Sequence, residues 1–523
     1  MPDPAWHPGL DRSTWPAELA ASLDPSLESF VESANEPGSD FPIQNLPWGA
    51  FSPDADSPLR LGVAIGDEVL DVKGCVEAGL LDELDGPLRC ALCARHLGDL
   101  LKQGRPAWLA ARTAISRLLR RDTATLRDHP KRSELLRPRG SVRLGLAIEP
   151  GDYTDFYASL HHATNVGSMF RPDNPLMPNW KHLPVGYHGR ASSLVASGTP
   201  IRRPHAQTKP ANAAAPMWGP SKLLDYELEV GFVIGPGNGL GSRIPVGSAI
   251  EHLFGVVLVN DWSARDVQGW EYQPLGPFNA KNFATSLGDW IVTFEALAPF
   301  LAAGPPRSEG DPAMLPYLVR EGDFQPDLSL SVEIVPASTG GGTAAGTIVS
   351  TGSYRDMFWT PSQMVAHHTS TGCNLRPGDL LASGTVSGPT EESRGCLLER
   401  TWRGKNPITL ADGSTRAFLA DGDEVVMRGW CERDGFRRIG LGEGDRRRPA
   451  GRRRGAGRDR TTEDAARPLV EVAEGIPGGS GGGEAAVRQA SGAVRSHVVD
   501  SCAGRGLERH VSRGVRPCGP LDR

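Results

Sequence analysis

The chain has little of what marks a secreted, membrane-embedded or nucleic-acid-binding protein. Its start, Met1 to Trp6, lacks the basic residues and apolar stretch of a signal peptide, and no uninterrupted apolar run reaches membrane-spanning length. The net charge of -6 gives no reason to expect a nucleic acid partner. The eight cysteines are scattered and form no disulfide framework. These absences predict a cytoplasmic protein without a membrane or nucleic acid partner.

Aromatic residues are few, at 7%, whereas 63 glycines and 44 prolines interrupt the chain. This composition predicts a mainly β, turn-rich protein of the α+β class, long enough for about two to four domains. We expect a small N-terminal domain over residues 1–140, a β-barrel or roll with added helices and a charged linker at 120–139. A larger domain is expected over 141–442.

One stretch, Leu223 to Ile234, organises the larger domain. Its alternating and then continuous apolar pattern predicts a β-strand. Glu227 and Glu229 are two residues apart, so an extended chain places both carboxylates on one face of the sheet. Two like charges there need either bulk water or a cation between them. An edge strand with one solvated face therefore competes with a cation site.

Two further carboxylates occupy similar places. Asp155 follows a predicted strand, with His162 seven residues later, which can place an acid or base beside a metal. Asp261 ends a second apolar strand, and a helix starting there would put Arg265 and Gln268 on the same side. Each aspartate could instead be a helix N-cap, and the histidine a surface residue.

Several single residues carry weaker signals. Tyr187 and Arg171 are of a type that holds a substrate carboxylate, although they could equally anchor a loop. Lys281 lies on a rigid turn in an apolar setting, where a solvated lysine is the ordinary interpretation. Glu399 closes a predicted strand, Gly395 to Glu399, and by itself indicates a solvated strand end.

Six segments, in the right order along the chain, resemble the fumarylacetoacetate hydrolase family: 152–165, 183–192, 223–230, 260–272, 274–285 and 374–385. Two others, 41–47 and 62–66, are similar to the smaller domain of that family. The resemblance extends over roughly residues 10 to 442. It departs from the family at Gly269, where a longer polar residue is common, which affects local packing only.

The resemblance implies an SH3-like N-terminal barrel, a larger mixed β-roll catalytic domain and a homodimer. It also implies an activity, namely hydrolysis of the carbon-carbon bond of 4-fumarylacetoacetate to fumarate and acetoacetate, the last step of tyrosine and phenylalanine catabolism. Such a reaction needs an activated water and a stabilised enolate leaving group.

Metal ligands are implied by the same resemblance at Asp155, Glu227, Glu229 and Asp261. Lys281 and Thr285 would support them. Because all-oxygen ligation selects a hard cation, the implied cofactor is Mg2+ or Ca2+, or both.

Catalytic and substrate-binding roles follow from the resemblance too. His162 would be the general base and Glu399 its orienting partner. The developing negative charge would be stabilised by Arg265, Gln268 and Lys281. The small-molecule substrate would contact Tyr157, Arg171, Tyr187, Tyr272 and Thr385.

Two rival functions remain open. Related members of the wider family hydrolyse acylpyruvates, or decarboxylate and hydrate other keto acids, and would share the carboxylate site. The tyrosine and arginine set and the attached N-terminal domain favour fumarylacetoacetate. A non-catalytic metal-binding module is the other rival, against which the presence of both His162 and Glu399 argues.

The resemblance ends abruptly at about Gly442. Beyond it the chain is rich in arginine, glycine and alanine, with no aromatic residue after Phe436 and no lysine after Lys405. This composition predicts a disordered tail over 443–523. The abrupt change indicates a changed reading frame. A basic RNA-binding tail is the alternative, although no aromatic residues interleave with its charges.

Overall fold

The computed structural model describes residues 12–54, 56–337, 345–442 and 494–499. Its N-terminal part is a five-stranded antiparallel sheet in the order β4-β3-β2-β1-β5. The strands are β1 (Trp48–Ser52), β2 (Arg60–Ile65), β3 (Glu68–Asp71), β4 (Leu136–Pro138) and β5 (Arg143–Gly145). Whether this sheet is an SH3-like barrel stays a prediction, as does the domain boundary at residue 140.

Among the described residues, seven α-helices accompany this sheet. They are α1 (Ala17–Ser22), α2 (Val72–Glu77), α3 (Gly86–Leu92), α4 (Gly98–Leu101), α5 (Arg105–Leu119), α6 (Ala124–Arg127) and α7 (Arg132–Leu135). In α5 the apolar residues recur at helical spacing, so one face buries Trp108, Ile115 and Leu118. The expected linker at 120–139 is wrong in part, because buried Leu126 and Leu135 fix α6 and α7 there.

The larger part of the chain is a mixed, sheet-rich fold. Its strands are β6 (Tyr153–Phe156), β7 (Gly186–Gly189), β8 (Leu194–Ala196), β9 (Ile201–Arg202), β10 (His205–Thr208), β11 (Met217–Pro220), β12 (Leu224–Asp225), β13 (Leu228–Ile234), β14 (Leu253–Asp261), β15 (Ser263–Ala264), β16 (Thr285–Leu287), β17 (Val292–Thr293), β18 (Leu301–Ala303), β19 (Phe324–Pro326), β20 (Ser329–Val335), β21 (Thr347–Ser353), β22 (Leu380–Ala382), β23 (Ile408–Thr409), β24 (Thr415–Arg416), β25 (Glu424–Cys431), β26 (Ile439–Gly442) and β27 (Val494–Val499). Its helices are α8 (Leu160–Phe170), α9 (Arg265–Glu271), α10 (Phe294–Leu297), α11 (Pro361–His368) and α12 (Leu397–Arg400).

Two sheets enclose the main core. One follows the order β7-β6-β22-β13-β14-β16-β8, with β17 beside β14, and contains parallel pairs at β6/β22 and β8/β16. The other follows β21-β20-β25-β27-β9, with β26 beside β25. Leu258, Leu330 and Met427 are fully buried in the core that the two sheets share. The back of the first sheet packs Val233 and Val257 against the N-terminal part.

The strand predicted from Leu223 to Ile234 is interrupted. Tyr226 and Glu227 separate β12 from β13, because β12 pairs with β15 while β13 pairs with β14 and β22. In the β13/β14 ladder Glu229 lies opposite Val259, next to the end of β14. The ladder therefore brings Glu229 and Asp261 to the same end of the sheet.

A short strand lies within the segment predicted to be disordered. Val494–Val499 pairs antiparallel with β25 and parallel with β9, and the alternating Val494, Ser496 and Val498 are fully buried. The disorder prediction therefore does not hold for these six residues. Their alternating buried and partly exposed side chains suit a strand that pairs with β25 on one side and β9 on the other. The rest of 443–523 lies outside the described residues. Within the described ranges, no helix is long and apolar enough to cross a membrane.

Candidate active site

Four carboxylates converge at one end of the eight-stranded sheet. Asp155 comes from β6, Glu229 from β13 and Asp261 from the end of β14, while Glu227 lies in the break before β13. One oxygen from each lies within 4.8 Å of the others, and all four residues are buried. Three strands of one sheet, with β22 between β6 and β13, thus bring distant parts of the sequence to a single site.

The turn after β22 holds one of these carboxylates in place. The N–H of Gly384 donates to Asp155 Oδ1 at 3.1 Å. Gly384 has φ of +74°, and a Cβ there would lie 2.2 Å from the Phe156 carbonyl oxygen. Only glycine fits this approach. The turn at Gly384 therefore binds a carboxylate of the protein itself.

Burial and crowding of like charges perturb the cluster. Burial, together with the negative charge of Asp261, raises the pKa of Asp155 well above its ordinary value. Burial and the charge of Asp155 do the same to the pKa of Glu229. For Glu227 burial acts in the same direction, but Lys281 and Arg265 outweigh it and lower its pKa to about 2. The four carboxylates are therefore compensated unequally.

The positive charges explain this inequality. Lys281 Nζ donates to Glu227 Oε2 and, at 2.6 Å, to Asp261 Oδ2. Arg265 Nη2 lies 2.8 Å from Glu227 Oε1. Burial lowers the pKa of Lys281, but Asp261 and Glu227 outweigh it and raise that pKa. The lysine is thus a permanent cation rather than the solvated residue that its sequence context suggested.

The donor set fits a hard divalent cation. Both oxygens of Glu229 are buried and, within the described part of the chain, have no hydrogen-bond partner. Buried carboxylate oxygens without partners are costly, and a bound cation removes that cost. Glu229 would share the cation with Asp155, Glu227 and Asp261, since oxygen ligands suit Mg2+ and Ca2+. Thr285 Oγ1 donates to Asp261 Oδ1 at 2.7 Å and orients that ligand.

A histidine and a glutamate lie beside this cluster. His162, on α8, places Nδ1 2.6 Å from Oε2 of Glu399, and both side chains are buried. Burial raises the pKa of Glu399, but His162 outweighs it and brings that pKa to about 2. His162 also contributes to the low pKa of Glu227, so the dyad acts electrostatically on the carboxylate cluster.

The environment of Glu399 differs from its prediction. It lies on the one-turn helix α12 instead of ending a strand, and it is fully buried instead of solvated. The N-cap alternatives are also wrong: Asp261 ends β14 and α9 begins at Arg265, while Ser159 caps α8.

Three donors to Glu399 were missed in the sequence. Asn165 Nδ2 donates to Oε1 at 2.9 Å, Ser387 Oγ to Oε2 at 2.8 Å, and Cys396 Sγ lies 3.2 Å from Oε2. Asn165 follows His162 by three residues on the same helix face, a spacing that could have indicated it. Ser387 and Cys396 carry no such signal, because the fold alone brings them to the carboxylate.

The predicted substrate-binding residues divide into two groups. Three adjoin the site: the Tyr157 ring lies 5.1 Å from the His162 ring, Tyr187 OH donates to Asp261 Oδ2 at 2.8 Å, and Thr385 Oγ1 is buried and unpartnered within the described chain. Burial and the charge of Asp261 raise the pKa of Tyr187. These three surround the dyad and the carboxylates.

The second group is held differently. Arg171 is exposed and donates from Nη2 to the Pro175 carbonyl oxygen at 3.0 Å. Tyr272 is 37% exposed, just beyond α9. Gln268 accepts from Arg265 Nη1 at 3.1 Å and so reaches the site through the arginine.

Comparison with known proteins confirms the resemblance. A family model described as fumarylacetoacetate (FAA) hydrolase C-terminal matches residues 153–443, and one described as fumarylacetoacetase N-terminal matches residues 44–147. The fumarylacetoacetase of Caenorhabditis elegans is 49% identical over 429 residues, which are 80% of this chain and 98% of that protein. Those of Bos taurus and Homo sapiens are each 48% identical over 424 residues, 79% of this chain and 97% of theirs. The chain therefore belongs to the fumarylacetoacetate hydrolase family of enzymes.

Proposed function

We propose that this enzyme hydrolyses 4-fumarylacetoacetate to fumarate and acetoacetate. The observation that carries the proposal is the buried pair of His162 and Glu399, 2.6 Å apart, beside the four-carboxylate cluster. The curated relatives, named fumarylacetoacetases, share about half of their residues with the chain and are matched over nearly their full lengths.

Water activation falls to His162. Glu399 accepts from Nδ1, which leaves Nε2 as the nitrogen that takes a proton from water. The low pKa of Glu399 keeps its carboxylate ionised, so that it stabilises the imidazolium that forms. Water oxygen adds to the ketone carbon that becomes the new carboxylate of fumarate.

Charge stabilisation falls to the opposite side of the site. The bond between that carbon and the methylene carbon breaks, and the electron pair leaves as the enolate of acetoacetate, which then takes up a proton. Arg265 and Lys281, with Gln268 holding the guanidinium, offer positive charge to the developing oxyanions. Tyr157, Tyr187 and Thr385 would contact the substrate, and Arg171 and Tyr272 would do so from the surface.

A divalent cation, Mg2+ or Ca2+, would be held by Asp155, Glu227, Glu229 and Asp261. When bound, it would act as a Lewis acid toward the two ketone oxygens of the substrate. Thr285 and Lys281 would fix the orientation of Asp261 and Glu227.

A turnover assay tests the proposed activity. We expect the diketone absorbance of fumarylacetoacetate to fall in the presence of the purified enzyme and Mg2+, with fumarate and acetoacetate formed in equal amounts. Acylpyruvate and oxaloacetate serve as comparison substrates. Faster turnover of either one than of fumarylacetoacetate would refute the substrate assignment.

A homodimer completes the proposal. Trp218, on β11, is 74% exposed, and beyond α9 Leu275 is 97% and Phe278 67% exposed. Trp270 of α9 donates to Gln207, which pairs with Trp218 across the hairpin. Exposed apolar groups clustered in this way mark a protein contact, and a second copy of the chain is the proposed occupant.

Sedimentation tests the dimer. Trp218→Lys should shift the chain toward monomer, whereas the solvent-exposed Leu240, 83% exposed on a different loop, provides the control Leu240→Lys. A wild-type chain that sediments as a monomer would contradict the homodimer.

A further inference from the structure

Asp225 is a fully buried carboxylate that lies outside the four-carboxylate cluster and contacts two parts of the site. Its Oδ2 accepts from Arg265 Nε at 2.8 Å and from the N–H of Leu398 at 3.0 Å. Its Oδ1 accepts from the N–H of Leu397 at 2.8 Å. One side chain thus joins the arginine of the site to the turn that bears Glu399.

The turn needs an external partner. Helix α12 has four residues, and its N-cap, Cys396, makes no side-chain capping bond. A single helical turn is unstable by itself, and its first N–H groups have no partner within the helix. Asp225 supplies the missing acceptors from β12, and its charge suits the positive end of the turn. Glu399 belongs to the same turn.

The arginine is held at three points. Asp225 binds Nε, Gln268 accepts from Nη1, and Glu227 lies 2.8 Å from Nη2. Because the guanidinium is planar, fixing Nε sets the plane in which both Nη atoms lie. The position of Arg265 relative to Glu399 therefore depends on a shared carboxylate.

We propose that Asp225 is a positioning residue that sets the distance and angle between the water-activating pair, His162 and Glu399, and the charge-stabilising Arg265. Both of its oxygens accept from donors of the protein, so it acts through Arg265 and the turn. Its kinetic consequence rests on the proposed function, whereas its structural consequence does not. Without the hydrogen bonds of Asp225, the dyad and Arg265 are both present but no longer correctly placed relative to each other. Such misplacement lowers kcat more than it weakens substrate binding.

Asp225→Asn tests the tether, because it keeps the size and removes the charge and one acceptor. We expect faster hydrogen-deuterium exchange over 396–400, measured by mass spectrometry. We also expect kcat to fall by about 10–100-fold, as for other groups that orient a site, with KM changed by less than about 3-fold.

The matched control is Asp71→Asn. Asp71 is also a buried aspartate at a helix start, where Oδ1 accepts from the N–H of Gly74 and Oδ2 from Arg60, each at 2.9 Å, in the N-terminal sheet. The Asp71→Asn variant should lose thermal stability, but its kcat and the hydrogen-deuterium exchange of residues 396–400 should not change. Equal loss of kcat in both variants would show a general destabilisation and overturn the proposal.

Two other outcomes are decisive. Unchanged exchange in Asp225→Asn, or faster exchange with wild-type kcat, would overturn the positioning role. If the wild type itself does not turn over fumarylacetoacetate, the proposed function fails, while the exchange measurement still decides whether the tether exists. Should Asp225→Asn not fold, Asp225→Glu, which keeps the charge on a longer arm, is expected to show the same two changes.

Discussion

His162 Nδ1 lies 2.6 Å from Glu399 Oε2, although 237 residues separate them in the sequence. Asn165, Ser387 and Cys396 occupy the remaining acceptor positions of that carboxylate. A carboxylate so fully engaged cannot rotate away from the imidazole. The dyad is therefore preorganised before any substrate binds.

Removal of the imidazole tests its role as the base. His162→Ala should lower kcat by about 10²–10⁴-fold, because a positioned base contributes that much to proton transfer. Steady-state kinetics measures it, and cation affinity should not change. The neighbouring His161→Ala is the control, since the charge of His161 acts on Asp356, which is not part of the dyad. Wild-type turnover in His162→Ala would show that another group activates water.

For the cation site, we expect one substitution to stabilise the protein without Mg2+ and to destabilise it with Mg2+. In EDTA, Glu229→Gln should raise the melting temperature, because it removes a buried carboxyl group that has no hydrogen-bond partner among the described residues and whose ionisation burial and Asp155 oppose. With Mg2+ the same variant should be less stable than the wild type, because it loses a ligand and more than about 10-fold in affinity.

Calorimetric titration and thermal unfolding, each with and without Mg2+, check this reversal. Glu333→Gln is the control. Glu333 does not belong to the cluster, and its Oε2 lies 2.7 Å from Arg428 Nη1, so its loss should not alter cation affinity. Full Mg2+ affinity in Glu229→Gln would remove the carboxylate cluster as the cation site.

How much of this site the sequence could predict depends on the range of its interactions. The pair Glu227 and Glu229 stands out because alternation along an extended chain is a local rule. Asp155 and Asp261 stand out near the ends of predicted strands, the family resemblance implied that they are metal ligands, and the ladders of β6, β13 and β14 bring them together. Ser387 could not be found, because its contact with Glu399 depends on a turn that no local pattern encodes.

The secondary-structure elements also divide into those set by local sequence and those set by tertiary contacts. The hairpin of β2 and β3 joins two apolar runs through a Gly-Asp turn, which is a pattern that the local sequence can indicate. The apolar run from Gly395 to Glu399 predicted a strand. Asp225 instead accepts from the N–H groups of Leu397 and Leu398, and the segment forms a helical turn. Tertiary hydrogen bonds decided the second case, and no propensity could have reported them.

The strand Val494–Val499 gives a stability prediction. Val498 is fully buried between β25 and β9, whereas Val499 is partly exposed. Val498→Asp should lower the free energy of unfolding by about 2–4 kcal/mol, because it buries an unpaired charge. Val499→Asp should change it by less than about 0.5 kcal/mol. Urea unfolding measures both, and equal values would remove this strand from the sheet.

Asp289 predicts how stability depends on pH. It is buried at 4% exposure, its Oδ1 has no partner within the described chain, and burial raises its pKa well above the ordinary value. As pH rises above the unfolded-state pKa of about 3.9, the unfolded chain releases this proton first, so the native state loses stability until its own pKa is passed. Asp289→Asn has no such proton. Its melting temperature should therefore exceed that of the wild type by more at about pH 7 than at about pH 4.

The control for Asp289 is another buried aspartate with strong partners. Asp423 accepts from Arg416 Nε at 2.7 Å and Nη2 at 2.8 Å, so Asp423→Asn should destabilise the protein at neutral pH instead of stabilising it. The two variants make the same chemical change and differ in how the carboxylate is compensated. Asp423 accepts two hydrogen bonds from one arginine, whereas for Asp289 burial outweighs the charge of Arg139. If Asp289→Asn lowers the melting temperature at neutral pH as Asp423→Asn does, Asp289 is ionised and paired in the native protein, and its burial imposes no cost that rises with pH.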